Sequence, residues 1–236
     1  MNQIKTLKRN LIKTFFNKEF SGWSAFDLTW LLCATAVILG LSIYWKDSII
    51  GIISALSGIW CVILTGKGKR LSFIVGTVNV IFYSIISFNA RYYGEVMLNL
   101  LYYLPMNFVG WIMWSKHLDS NTGEVKKAHL SCKGSLLTYS LTAIAIFIYG
   151  IVLKYLGGAL PYIDSMSTVI SVTAQILSVR RLKEQWILWI AVDAVTIVLW
   201  GINFAQGKDN IATLAMWIIY FINAIIMYVK WNKEAK

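Results

Sequence analysis

Residues 186–204 read WILWIAVDAVTIVLWGINF, an apolar run in which Asp193 is the only acidic or basic residue. The run is long enough to cross a hydrocarbon layer, and at 1.5 Å per residue Asp193 lies about 12 Å in from the boundary near Gln185, near mid-membrane. A carboxyl at that depth is costly and marks a substrate or ion path by default. Trp186, Trp189, Asp193 and Trp200 follow i, i+3, i+7 and i+14, so three indoles and a carboxyl share one helix face. That face suits a flat, electron-poor or cationic ligand. The plainer reading is a protonated Asp193 bonded to a neighbouring helix, with Trp186 as an interfacial anchor.

The rest of the chain is of the same kind. Of 236 residues, 58% are hydrophobic and 14% charged, and the mean hydropathy is +0.63. Apolar runs near 20 residues define an all-α membrane protein with eight transmembrane helices. They are expected at 28–44, 48–65, 71–88, 93–115, 135–153, 164–179, 185–205 and 210–229. No cleaved leader is expected ahead of the first. Three scattered cysteines, Cys33, Cys61 and Cys132, predict neither a disulfide frame nor a metal site.

A net charge of +11 raises the question of nucleic acid, and its placement answers it. Lys5, Lys8, Arg9, Lys13 and Lys18 precede the first span. Lys67, Lys69 and Arg70 fill the second connection, Lys116, Lys126, Lys127 and Lys133 the fourth, and Arg180, Arg181 and Lys183 the sixth. Lys230, Lys233 and Lys236 end the chain. The alternate connections hold only Lys46, Arg91, Lys154 and Lys208, so 18 basic residues stand against 4. This bias predicts both termini and loop 116–134 in the cytoplasm. The partner of the basic charge is the lipid bilayer, not nucleic acid.

Residues 1–27 form an amphipathic cytoplasmic segment, with Ile4, Leu7, Leu11, Ile12, Phe15 and Phe16 at helical spacing between basic residues; a disordered basic arm is the alternative. Residues 28–46 hold an extra transmembrane helix. A weak repeat follows. At an offset of 117, Asp47-Ser48 falls on Asp164-Ser165, Tyr103 on Tyr220 and Trp114 on Trp231; at 114, Asn79 falls on Asp193. Two three-helix units, 47–115 and 164–231, are therefore expected, joined by a loop and linker helix at 116–163 and followed by a tail at 232–236. An odd number of crossings per unit plus one linker makes the repeat parallel, the 3+1+3 layout of the SWEET class, with substrate at mid-membrane between units.

Polar residues that share helix faces are the candidate lining: Asn79 and Tyr83 with Gly76; Glu95, Asn99, Tyr103 and Met106, with Asn107 beside them; Gln175; and Tyr220, Asn223 and Met227. Each amide also has a bland role as a helix–helix hydrogen bond, and Glu95 reads as reaching the membrane interface. Asp193 is expected to have no second intramembrane carboxyl for company. Pro105 should kink its span by freeing the Leu101 carbonyl. Gly51, Gly58, Gly76, Gly110 and Gly201 permit close helix approach. Trp231 reads as a rim residue. No metal cluster, Walker loop or nucleophile elbow is visible, so no cofactor and no catalysis are expected.

Gly68-Lys69-Arg70-Leu71-Ser72-Phe73, Gly76, Asn79, Tyr92-Tyr93-Gly94-Glu95, Asn99 and the Trp186-x-x-Trp189 pair with Asp193 resemble the Pnu family of bacterial vitamin transporters. The likeness covers nearly the whole chain after residue 25 and is strongest to the PnuC-type nicotinamide riboside transporters. It implies uptake of nicotinamide riboside across the bacterial inner membrane by facilitated diffusion, with trapping by a separate cytoplasmic kinase, and a homo-oligomer, a homotrimer. Relatives of that family carry thiamine or riboflavin; a membrane-embedded enzyme or a sensor are the competing classes. In this reading Trp186 and Trp189 flank the pyridinium ring, Asp193 balances charge or accepts ribose hydroxyls, and Asn79, Asn99, Gln175 and Asn223 suit the carboxamide, with Tyr83, Tyr103 and Tyr220 beside them.

Overall fold

A computed structural model describes residues 18–157, 161–207 and 211–235. Of the amphipathic segment expected over residues 1–27, residues 1–17 lie outside them. Eight helices follow in order: α1 (Ala25–Tyr44), α2 (Ile49–Lys67), α3 (Leu71–Asn89), α4 (Tyr93–Ser115), α5 (Cys132–Tyr155), α6 (Pro161–Val179), α7 (Gln185–Ala205) and α8 (Ile211–Glu234). Among the described residues there are no strands, only isolated bridges. All helices except α6 are long and apolar enough to span a membrane. The exception is compositional: α6 carries Ser165, Ser167, Thr168, Ser171, Thr173, Gln175 and Ser178, and several of these face inward.

Local chemistry sets the ends. Ser24 and Asp27 form a reciprocal capping box before α1, and Ser48 and Ser131 cap α2 and α5 with their hydroxyls. Gly68 ends α2 in the left-handed region (φ 77°), where a side chain would be strained. Arg181 takes the same conformation after α6 (φ 63°). The two turns share one bonding pattern. Gly68 N–H donates to Thr65 and Lys69 N–H to Leu64, as Arg181 N–H donates to Ser178 and Leu182 N–H to Leu177. At the opposite end of the bundle, Arg91 after α3 and Gly207 after α7 are again left-handed. Asp164-Ser165 departs from its expected likeness to Asp47-Ser48. Ser48 caps a helix, whereas Ser165 sits inside the first turn of α6 and donates to the Ile146 carbonyl of α5 (2.6 Å).

Helices α2–α4 form one group and α6–α8 another, and packing joins the two twice: α4 lies against α6, and α8 against α2. The α1 helix covers the second seam by touching both α2 and α8, while α5 packs on α6. At the end carrying the basic connections, a charge cluster closes that seam. Lys67 pairs with Asp27 (2.9 Å) and Glu124 (3.1 Å), and Lys230 pairs with Asp27 (2.9 Å). Loop 116–131 laces the equivalent turns together, with Val125 N–H donating to the Gly68 carbonyl and Ala128 N–H to that of Arg181. Nearby, the fully buried Lys69 ammonium donates to the Lys18 and Thr122 carbonyls, and burial pushes its pKa below the usual lysine range.

Candidate functional site

Between the two groups lies a cavity of about 140 Å³, walled by α2, α3, α4, α6, α7 and α8. All ten residues singled out from sequence reach its wall: Asn79 and Tyr83 from α3, Asn99 and Tyr103 from α4, Gln175 from α6, Trp186, Trp189 and Asp193 from α7, and Tyr220 and Asn223 from α8. The two faces predicted to match, Tyr103 with Tyr220 and Asn79 with Asp193, all contribute to this wall. Gly58 explains how α2 and α8 come this close. A Cβ there would lie 2.1 Å from the Tyr220 hydroxyl and 2.7 Å from the Asn79 amide. Gly201, by contrast, faces open space and does not serve close packing.

The α4 wall is built by a device that sequence did not reveal. Residues Leu98–Tyr103 form a π-helical turn, and Leu104 N–H donates to the Asn99 carbonyl, five residues back. Widening the ladder just before Pro105 absorbs its missing N–H, so the expected freed carbonyl becomes a shift of register. The extra residue rotates the following face. Asn107 therefore lines the cavity where a regular 3.6 period put Met106. The same segment corrects the reading of Glu95, which lines the cavity beside Tyr83 instead of reaching the membrane interface. Asp193 is not the only intramembrane carboxyl.

Burial and hydrogen bonds divide the candidates by role. Asp193 is 3% exposed and has neither a hydrogen-bond nor an ion-pair partner among the described residues, so its carboxyl addresses the cavity. Asn223 is fully buried and spent: its carbonyl accepts from the Trp30 indole (3.2 Å) and its amide donates to the Val62 carbonyl (3.2 Å). It ties α1, α2 and α8 together. Asn79 donates to the Ser54 carbonyl (2.9 Å) and Asn99 to that of Glu95 (2.8 Å), which leaves each an oxygen to present. Gln175 makes no hydrogen bond with another described residue.

The two indoles of α7 both reach the cavity wall in different surroundings. Trp186 is 2% exposed, packs edge-on against Trp231 (5.6 Å) and keeps an unpartnered indole N–H at the cavity wall. Trp189 is only partly buried and sits 6.3 Å from Tyr103, which belongs to the other group of helices. Trp189 and Tyr103 thus form a tilted aromatic pair at the cavity wall. Trp200 lies behind the wall, fully buried, with its indole donating to the Tyr83 hydroxyl (2.9 Å). Sequence reasoning also missed Trp217, Cys61, Thr65, Ser171, Ser178 and Thr196 in the lining. Serine and threonine so often bond back to their own helix that no spacing signal marks them. Among the described residues nothing basic lines the cavity: they give its walls two carboxyls and no Lys, Arg or His.

Comparison with known proteins gives a consistent assignment. A family model described as nicotinamide mononucleotide transporter matches residues 48–233. A nicotinamide riboside transporter PnuC of Neisseria mucosa is 36% identical over 222 residues, covering 92% of this chain and 84% of the relative. The protein of that name in Haemophilus influenzae is 31% identical, covering 93% and 95%, and that of Escherichia coli 24%, covering 70% and 77%. A crystal structure of the vitamin B3 transporter PnuC superposes with a TM-score of 0.85 at 35% identity, covering 93% of this chain and 96% of that one. These relatives are transporters, not enzymes, and the chain is a multi-pass membrane protein. It belongs to the nicotinamide mononucleotide transporter family.

Proposed function

We propose that this chain takes up nicotinamide riboside across the bacterial inner membrane by facilitated diffusion, with phosphorylation by a separate cytoplasmic kinase trapping the product. The family model's description and the relatives' names differ by one phosphate, and the cavity's charge favours the riboside. Among the described residues two carboxyls and no basic side chain line it. The riboside carries a fixed pyridinium charge that such walls attract, whereas the mononucleotide adds a phosphate that they repel with nothing to neutralise it. The aromatic pair of Trp189 and Tyr103 offers the ring a face to stack on, and the free oxygens of Asn79 and Asn99 and the side chain of Gln175 suit its carboxamide and ribose hydroxyls.

The membrane arrangement belongs to the same reading. The polar α6 completes eight spans, with Ser171 and Ser178 at the cavity and Ser165 and Thr173 bonded to α5 instead of facing lipid. The basic connections lie in the cytoplasm, with both termini. The units 47–115 and 164–231 repeat in parallel with α5 between them; the matched turns at Gly68 and Arg181 support this. The chain works as a homo-oligomer, a trimer.

Calorimetric titration of purified protein with nicotinamide riboside, the mononucleotide, thiamine and riboflavin in parallel tests the substrate. Tight binding of the riboside and weak binding of the mononucleotide are expected. Equal affinity for both, or preference for neutral riboflavin, refutes the reading. Liposomes test the energetics, with Glu95 and Asp193 both at the cavity wall. Substrate should equilibrate and no more under proton or sodium gradients.

A further inference from the structure

The two seams between the helix groups are not alike. Across α2–α8 the bonds run the length of the seam. At the basic end the Trp231 indole donates to the Gly66 carbonyl (2.7 Å), and midway the Asn223 amide donates to the Val62 carbonyl (3.2 Å). At the opposite end the Asp47 carboxylate accepts from Ala212 N–H (2.8 Å). Glycines let the helices interlock between these points: a Cβ on Gly66 would lie 2.5 Å from Met227 Cγ, and one on Gly58 2.1 Å from the Tyr220 hydroxyl. Helix α1 ties both sides together. Its Asp27 carboxylate bridges Lys67 of α2 and Lys230 of α8, at 2.9 Å each. Its Trp30 indole donates to Asn223 of α8 (3.2 Å), and its Thr35 hydroxyl accepts from the Trp60 indole of α2 (3.1 Å).

The α4–α6 seam has less to hold it. Trp114 donates to the Ser178 carbonyl (3.1 Å) at the basic end, and at mid-helix Tyr102 donates to the Val172 carbonyl (2.9 Å) with Tyr103 beside Ser171. Among the described residues no hydrogen bond or ion pair joins the far ends of α4 and α6, and α5 packs on α6 without comparable contact to α4. Parting α2 from α8 would strand a buried carboxylate, its lysines and an amide chain together, whereas parting α4 from α6 breaks isolated neutral bonds. Two helix units that rock against each other therefore have one seam that resists and one that yields. We propose that α1 makes the α2–α8 seam a fixed hinge, and that the cavity opens to either side of the membrane by parting α4 from α6. This rests on the transport reading above and assigns its moving seam.

Two reversible cross-links test it, with the exposed Cys33 and Cys132 replaced by alanine. Gly66→Cys with Met227→Cys forms a disulfide across the hinge, and Tyr102→Cys with Val172→Cys is bridged across the other seam by a short bifunctional thiosulfonate. In liposomes, oxidised and reduced forms of the first variant should transport nicotinamide riboside within about twofold of each other, while bridging the second should slow transport about tenfold until reductant restores it. Loss of transport on closing the first link, or undiminished transport with the second in place, overturns the proposal. Spin labels at exposed positions carry the test if a cysteine pair fails to fold or to join. Met97 of α4 to Ile163 of α6 should give a broad or split distance distribution, and Ile49 of α2 to Ile218 of α8 a single narrow one. Equal widths, or the reverse ranking, overturn the hinge. If the parent moves no riboside while the labels rank as expected, the transport reading fails and the hinge stands.

Discussion

The indole of Trp231 on α8 donates a 2.7 Å hydrogen bond to the Gly66 carbonyl near the end of α2, joining one group of helices to the other. Trp114 on α4 makes the mirror bond, 3.1 Å to the Ser178 carbonyl near the end of α6. Both indoles are fully buried, and both close the cavity at the basic end of the bundle. Trp231 also supports Trp186 at the cavity wall. It is therefore no rim residue.

Truncating this clasp should be felt first in stability. Trp231→Ala should cost about 3–5 kcal/mol as a large-to-small change in packed surroundings. Trp231→Phe keeps most of the ring and loses the N–H, costing about 1 kcal/mol. Thermal melts in detergent should rank parent, Phe and Ala in that order. Equal melting of Ala and parent would contradict the buried clasp.

Trp189 and Asn223 should separate affinity from architecture. Trp189→Ala removes one ring of the aromatic pair and should weaken riboside binding by about 1–2 kcal/mol, roughly 5- to 30-fold, with little change in melting. Asn223→Ala strands the Trp30 indole and the Val62 carbonyl, so it should lower stability by about 1–3 kcal/mol. Its dissociation constant at a temperature where it is folded should stay near the parent's. A large affinity loss in stable Asn223→Ala would mean that the amide binds substrate after all.

Asp27 holds two lysines from different helices, Lys67 on α2 and Lys230 on α8. Asp27→Ala leaves both without their shared partner in a largely buried cluster, and should cost about 3 kcal/mol or more. Lys230→Ala should cost less, because Lys230 is the more exposed lysine and Lys67 keeps both of its carboxylates. Melting temperatures of the two variants settle the order.

Cys132 opens α5 at the basic end and is exposed. In intact cells a membrane-impermeant maleimide should fail to label it until the membrane is opened. Ready labelling from outside would reverse the proposed topology.

What the sequence determined by itself was periodicity and charge. Apolar length placed the helices to within a few residues, because crossing hydrocarbon demands a minimum run. The last helix was misjudged most, since α8 continues past the apolar stretch through Lys230 and Trp231 to Glu234. The cavity-lining residues were legible because polar side chains on an apolar helix have few places to go. Their division of labour was not. Asn223 and Gln175 look alike as letters, yet one is locked by α1 and α2 while the other faces the void, and only contacts between distant segments decide that. Glu95 was read as an interface residue because it lies near the outer end of its span, and Met106 as lining because a π-helical turn shifts the register of α4 without leaving a periodic mark. Backbone register and partners 100 residues away are tertiary properties; the sequence holds the polar groups, and the packing decides which of them remain free to meet a ligand.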